Sequence, residues 1–82
     1  MDQRKIHEIK CWPEYFEALL TGRKEFEVRI NDRYYFIGDL LRIEEWNPKT
    51  EEYTGRHILK RITYIIQGVC GLPENICVMQ LR

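Results

Sequence analysis

The chain has no excess charge of either sign: thirteen Lys and Arg are matched by thirteen Asp and Glu. Proteins that grip long nucleic acid by bulk electrostatics carry a basic surplus, so that class is set aside. Recognition of a single nucleotide in a pocket is not. No apolar run approaches the roughly 20 residues that a membrane helix needs, and the N-terminus lacks the pattern of a secretory signal. The three cysteines, Cys11, Cys70 and Cys77, are odd in number and none shows C-x-x-C spacing. A disulfide framework is therefore not expected, and a reduced, cytoplasmic setting is. The two histidines, His7 and His57, have no Cys or carboxylate at ligand spacing, so neither a metal nor another cofactor is expected. There are no repeats, low-complexity segments or linkers, which leaves residues 1–82 as one domain.

What is present is enough to build a small core. The sequence is 44% hydrophobic, 12% aromatic and 32% charged, unlike a disordered chain. At this length only about 60% of the unfolded surface is buried, so each large apolar side chain counts. Cys11 and Cys77 sit among apolar residues and are expected in that core. Cys70, between Gly68 and Gly71, is expected in a loop. Charge is unevenly spread: Arg56, Lys60, Arg61 and Arg82 against Glu74 give residues 54–82 a net +3, leaving −3 for the rest.

The apolar periodicity gives the elements. Residues 4–11 read as a strand. Pro13 suits the first turn of a helix, and Trp12, Tyr15, Phe16, Leu19 and Leu20 follow as the stripe of an amphipathic helix over 13–21, stopped by Gly22. Phe26, Val28 and Ile30 then alternate with Glu27, Arg29 and Asn31, a strand with one buried and one wet face. Asn31 to Arg33 form a turn. Tyr34, Tyr35 and Phe36 lead to a second turn at Gly38-Asp39, with Phe36 and Ile37 expected in the core. Residues 40–46 are a third strand and 57–66 the longest, with a loop over 47–55. A Gly- and Pro-marked loop precedes a last strand at 76–81. One helix against about five turn-connected strands points to an α+β domain with a highly curved sheet or small barrel, in which closure would protect the edges. A weak dimer would do the same, so the expected state is monomer or weak dimer.

Gly22, Lys24, Glu27 and Arg29 fit the string G-x-K-x-x-E-x-R, directly after an amphipathic helix and at the opening of a strand, with the Gly38-Asp39 turn following. This resembles the ASCH domain (activating signal cointegrator homology), a branch of the PUA-like superfamily. The stretches 12–18, 44–48 and 52–56 extend the likeness over nearly the whole chain, toward a compact set of small bacterial and phage proteins without assigned function. The resemblance implies a PUA-like small open β-barrel with one main helix after the first strand, a polar cleft lined by the motif, and RNA or a nucleotide as partner.

The chemistry of the motif agrees with that expectation. Arg29 offers a planar fork of donors for phosphate or the edge of guanine. Glu27 can accept from an exocyclic amine or hold Arg29, and Lys24 is a point charge suited to phosphate. Taken alone, a Glu-x-Arg pair on a strand is an ordinary solvated ion pair worth about 0–1 kcal/mol. Asn31 and Arg33 extend the set. Trp46 and Tyr53 are candidates to stack a base, at roughly 1–3 kcal/mol each, and Arg56 and His57 to contact phosphate.

Two alternatives stand beside the binding module. Some ASCH-like proteins of this size are amidohydrolases on acetylated cytidine, using a Lys, a Thr three residues later and a distant Glu. Lys24 matches the Lys, but Glu27 replaces the Thr; Glu74 is the candidate distant carboxylate, so the general base acting on water would be a Lys24–Glu74 pair or Glu27. The other alternative is a protein-interaction module using the aromatic-rich segment 33–37.

Overall fold

In the computed structural model, which describes residues 4–82, the chain forms β1 (Ile6–Cys11), α1 (Pro13–Leu20), β2 (Phe26–Ile30), β3 (Leu40–Asn47), β4 (Glu52–Gln67) and β5 (Ile76–Leu81). The strands make one sheet in the order β1-β3-β4-β5-β2. β1 runs parallel to β3 and all other neighbours are antiparallel.

Each element follows from its local sequence. Pro13 stands at the start of α1, where its missing N–H has no helical partner. The helix ends where the Thr21 hydroxyl bonds back to the Glu17 carbonyl at 2.9 Å and Gly22 takes a positive φ of 80°, a conformation that only glycine adopts without strain. β4 begins earlier than expected, because the 47–51 turn is tight: the Asn47 carbonyl accepts from the Glu51 N–H at 2.7 Å. β4 is long enough to serve two partners. Its first part pairs with β3 and its second with β5, and a register shift between Ile62 and Tyr64 bends it between them.

The sheet curls but does not close. Among the described residues the end strands β1 and β2 share no backbone pairing. The expected α+β, PUA-like small open barrel is therefore corrected: this is a mostly-sheet domain with an open sheet and one short helix. The end strands are instead bridged by side chains. The Arg29 guanidinium, from β2, donates to the Lys10 carbonyl of β1, and Arg33 donates to the Glu8 carbonyl. Guanidinium groups on edge carbonyls satisfy and block the β1 edge, so closure is not needed to protect it.

The core lies on the inner face of the curl. It contains Ile9, Cys11, Phe16, Leu19, Tyr35, Leu41, Ile43, Ile62, Cys77, Met79 and Leu81. Of the expected helix stripe only Phe16 and Leu19 are buried; Trp12, Tyr15 and Leu20 are about half exposed. Tyr35 is buried, whereas Phe36 and Ile37 are exposed, so their assignment to the core is corrected. The Asn31 side chain accepts from the Tyr35 N–H at 3.0 Å, turning Tyr35 inward, against His7.

Two buried carboxylates organise this core, and both bond to groups remote in sequence. Asp39 accepts from His7 Nε2 at 2.8 Å and from the Lys5 and Phe36 N–H groups, each at 3.1 Å. Burial works to raise its pKa, but these hydrogen bonds outweigh it and hold the carboxyl below its usual range. The Gly38-Asp39 turn is thus a clamp joining the start of β1 to the start of β3. Glu45 accepts two bonds from Arg56, at 2.9 and 3.0 Å, and one from the Thr54 hydroxyl at 2.6 Å. The Arg56 bonds come first in keeping Glu45 ionised, burial opposing them. Arg56 also reaches Glu17 of α1 at 3.2 Å, so part of the basic surplus of residues 54–82 is neutralised by acids from the other half of the chain.

Candidate functional site

β2 is inside out relative to its apolar pattern. Phe26, Val28 and Ile30 are 47, 50 and 55% exposed, while Glu27 is only 5% exposed. Alternation along the strand places Glu27 and Arg29 on one face, as expected, but that face turns toward the gap between β2 and β1. A charged side chain survives there because both carboxylate oxygens are satisfied. Glu27 Oε1 accepts from Lys24 Nζ at 3.0 Å and Oε2 from Arg29 Nε at 2.8 Å. Lys24 reaches Glu27 because the chain leaving α1 is pinned by a 3.0 Å bond from the Lys24 N–H to the Ala18 carbonyl.

The gap is a cleft of about 660 Å³, within the range of small-ligand sites. Lys24, Glu27 and Arg29 line it, together with Lys10, Cys11, Trp12 and Tyr15; Val28 and Ile30, whose side chains stand on the other face of this edge strand, also border it. Counting Lys10, Lys24 and Arg29 as positive and Glu27 as negative gives a net +2. Trp12 and Tyr15 present half-exposed rings, and Lys24 Nζ lies 5.6 Å from the Tyr15 ring centre, within cation–π range. The cleft thus combines cationic donors fixed by a buried carboxylate with aromatic walls.

The other sequence candidates are placed elsewhere. Asn31 is a turn residue, its amide donating to Gln67 at 2.8 Å. Arg33 bridges to β1, and Arg56 is committed to Glu45 and Glu17. Trp46 is half-buried outside the cleft lining, but Lys10 Nζ sits 4.2 Å from its ring centre and so joins it to the cleft's margin. Tyr53 is exposed opposite Trp46 on the β3–β4 hairpin, and His57 is exposed opposite Glu44. Glu74 precedes β5, whose first residue pairs with the last of β2. Lys24 precedes the other end of β2, so the two are separated by roughly the strand's length, on the order of 15–20 Å, and do not form a catalytic pair.

Sequence reasoning missed Lys10, Trp12 and Tyr15 as site residues, the last two because they fall in the helix stripe. The available signal was position: Trp12 precedes Pro13 and lies outside the helix, so it need not follow the helical stripe. Among the described residues no group of three or more His, Cys, Asp or Glu is placed to hold a metal ion, and no helix is long and apolar enough to cross a membrane.

Residues 6–81 match the pattern of a family described as "Domain of unknown function (DUF3850)". The chain belongs to the DUF3850 family. It is also 44% identical, over 59 residues, to the "Uncharacterized 12.9 kDa protein in GpA 3'region" of Escherichia phage P2. The aligned part covers 72% of this chain and 52% of that protein, so the chain spans about half the length of the curated relative it matches.

Within this DUF3850 domain the thiol that lines the cleft, Cys11, is not activated as a nucleophile. The sequence contains no serine, and burial, then the nearby Glu27 charge, pushes the Cys11 thiol up to about 11. Burial also raises Cys77. Only Cys70 is exposed. One of the three thiols is therefore expected to react rapidly with Ellman's reagent at about pH 8, and all three after unfolding. Rapid reaction of Cys11 in the native protein, read by mass spectrometry of the labelled peptide, would contradict its burial.

Proposed function

We propose that this domain is a binding module for a nucleotide, free or as one unit of RNA, held in the cleft between the two edge strands. The observation that carries the reading is the buried Glu27 carboxylate holding Lys24 and Arg29 on its two oxygens, in a cleft that Trp12 and Tyr15 also line. The cations supply charge-assisted bonds to phosphate, and a ring supplies a face for a base. Glu27, with both oxygens engaged, acts as organiser of the cations. The resemblance to ASCH domains belongs to this proposal at the level of the G-x-K-x-x-E-x-R motif. A reduced, cytoplasmic setting belongs to it too, supported by the free buried thiols Cys11 and Cys77. The amidohydrolase alternative has less support, since Glu74 is remote from Lys24 and no hydroxyl stands where Glu27 does.

The test is a titration with short RNAs and nucleotides, followed by amide NMR shifts and calorimetry. Shifts are expected at Lys24, Arg29, Trp12 and Tyr15. Lys24→Ala and Arg29→Ala are each expected to weaken binding about tenfold or more, the loss of roughly 1.4 kcal/mol or more of charge-assisted bonding, and binding is expected to weaken with added salt. If both variants bind as the parent does, the cleft is not the site.

A protein-interaction module is the second reading, favoured by one observation. Tyr34, Phe36 and Ile37 are all exposed on the 31–39 loop, leaving only Tyr35 buried among residues 33–37.

A further inference from the structure

The reversal of β2 has a counterpart on the opposite side of the sheet. Residues directly opposite across an antiparallel pair share a face. The register therefore aligns Phe26, Gln80 and Tyr64 in one row, Val28, Val78 and Ile66 in a second, and Ile30 with Ile76 in a third. No charged side chain interrupts these rows. Tyr64 is 58% and Ile66 41% exposed, and no helix or loop of the described residues covers them. The opposite face of the same strands holds Cys77, Met79 and Leu81 in the core. The outer face is thus built like the inner layer of a two-sheet sandwich, with the second layer absent.

We propose that this face, formed by β2, β5 and β4, is where a second copy of the chain docks, sheet against sheet. Charge and area argue for a copy of itself. A twofold contact brings a patch against its own image, so any charge on it meets its like; the three rows themselves carry none, the cation at their border, Lys24, whose Nζ lies 5.2 Å from the Phe26 ring centre, is paired with Glu27, and the whole chain has zero net charge to repel its double. Phe26, Val28, Ile30, Tyr64 and Ile66 leave accessible on the order of 500 Å² between them, at about 200 Å² for a fully exposed side chain of this size. That is near the upper end for a monomer's largest apolar patch. Doubled across a twofold axis, it is about 1,000 Å², the lower bound for a specific interface. An interface at that lower bound makes a weak, reversible dimer the expected state. Two such sheets pack about 10 Å apart, with strands inclined by about 30°.

Sedimentation equilibrium from about 10 μM to about 1 mM tests this by mass action. The mass is expected to rise from 10.0 kDa toward twice that value. Ile66→Lys would place like charges across the axis and hold the chain at monomer mass over the whole range. Leu59→Lys, also at an exposed apolar position of β4 but about 20 Å along the strand, would leave the association unchanged. Dilution-dependent amide shifts on the unsubstituted protein should fall at Tyr64, Ile66 and Val78, which keeps the test independent of whether a variant folds. A parent chain that stays at 10.0 kDa throughout overturns the proposal and assigns the face to a different protein or to another segment of a longer chain. A dimer that survives Ile66→Lys in a folded variant, or dilution shifts confined to other surfaces, also overturns it.

Discussion

Replacing Asp39 with alanine is expected to lower unfolding stability by about 3–5 kcal/mol, the cost of leaving three hydrogen-bond donors without their buried, charged acceptor. Asp39 is almost fully buried and accepts three bonds, from His7 Nε2 and the N–H groups of Lys5 and Phe36. The substitution leaves those donors without their acceptor, and His7 is itself buried. A domain of this size has a total stability of about 4–12 kcal/mol, so Asp39→Ala stands near the edge of unfolding. Urea denaturation of the two proteins measures it. Asp39→Asn, which keeps an acceptor oxygen and loses the charge, should fall between them. A loss under 1 kcal/mol for Asp39→Ala would show that the clamp is dispensable.

The same group makes stability depend on pH, with a definite sign. A carboxylate whose folded pKa is depressed binds its proton more readily in the unfolded chain. Its contribution is fully present above the unfolded value, about 3.9 for Asp and 4.3 for Glu, and is lost as pH falls through the lower folded value. Asp39 and Glu45 are both shifted in that direction, Asp39 by its hydrogen bonds against burial and Glu45 first by Arg56. The parent should therefore lose stability as pH drops below about 4, and Asp39→Ala should lose less over that window. Parallel acid limbs in the two proteins would show that Asp39 is not a source of the dependence.

Replacing Glu27 with alanine is expected to damage stability and ligand binding together. The carboxylate is buried, and its two partners are themselves partly buried: the Lys24 side chain is 18% exposed and that of Arg29 30%. Removing it leaves two neighbouring cations without their counter-charge, at a cost of about 2–3 kcal/mol; partial exposure of the partners keeps this below the full cost for a buried pair. Nucleotide affinity should fall about tenfold or more, because Lys24 and Arg29 are no longer held at their positions. An opposing effect exists. Deleting a negative charge strengthens attraction for phosphate, by about 1 kcal/mol at 4 Å in a water-like dielectric. The loss of fixed geometry is the larger effect, so the net direction is weaker binding. Calorimetry on a variant shown to be folded by its amide spectrum measures the sum. Tighter binding would mean that Glu27 restrains the cleft instead of organising it.

Much of the secondary structure was legible because periodicity is a local property. Proline at the start of α1, the turn at Gly22 and the alternations along the strands each depend on neighbours a few residues away. The order of elements from β1 to β5 follows from those signals. So does the pairing of Glu27 with Arg29 on one face of β2, two residues apart along a strand. Alternation says which residues share a face; it does not say which face points inward. The usual assumption, apolar side in, failed at β2, where the side chains of Lys24 and Arg29 satisfy Glu27 from either side. It failed again at Phe36 and Ile37, where an Asn31 bond to the Tyr35 backbone sets the direction of the loop.

By itself the sequence determined the elements, their order, the two buried thiols and the trio Lys24, Glu27 and Arg29. Tertiary structure alone decided that the sheet stays open, that Trp12 and Tyr15 wall a cleft, and that Asp39 meets His7 thirty-two positions away. The physical reason is sequence distance. The cleft exists because β1 and β2 become the opposite ends of a curled sheet whose three middle strands come later in the chain. Contacts that depend on such closure are invisible to any pattern a few residues wide.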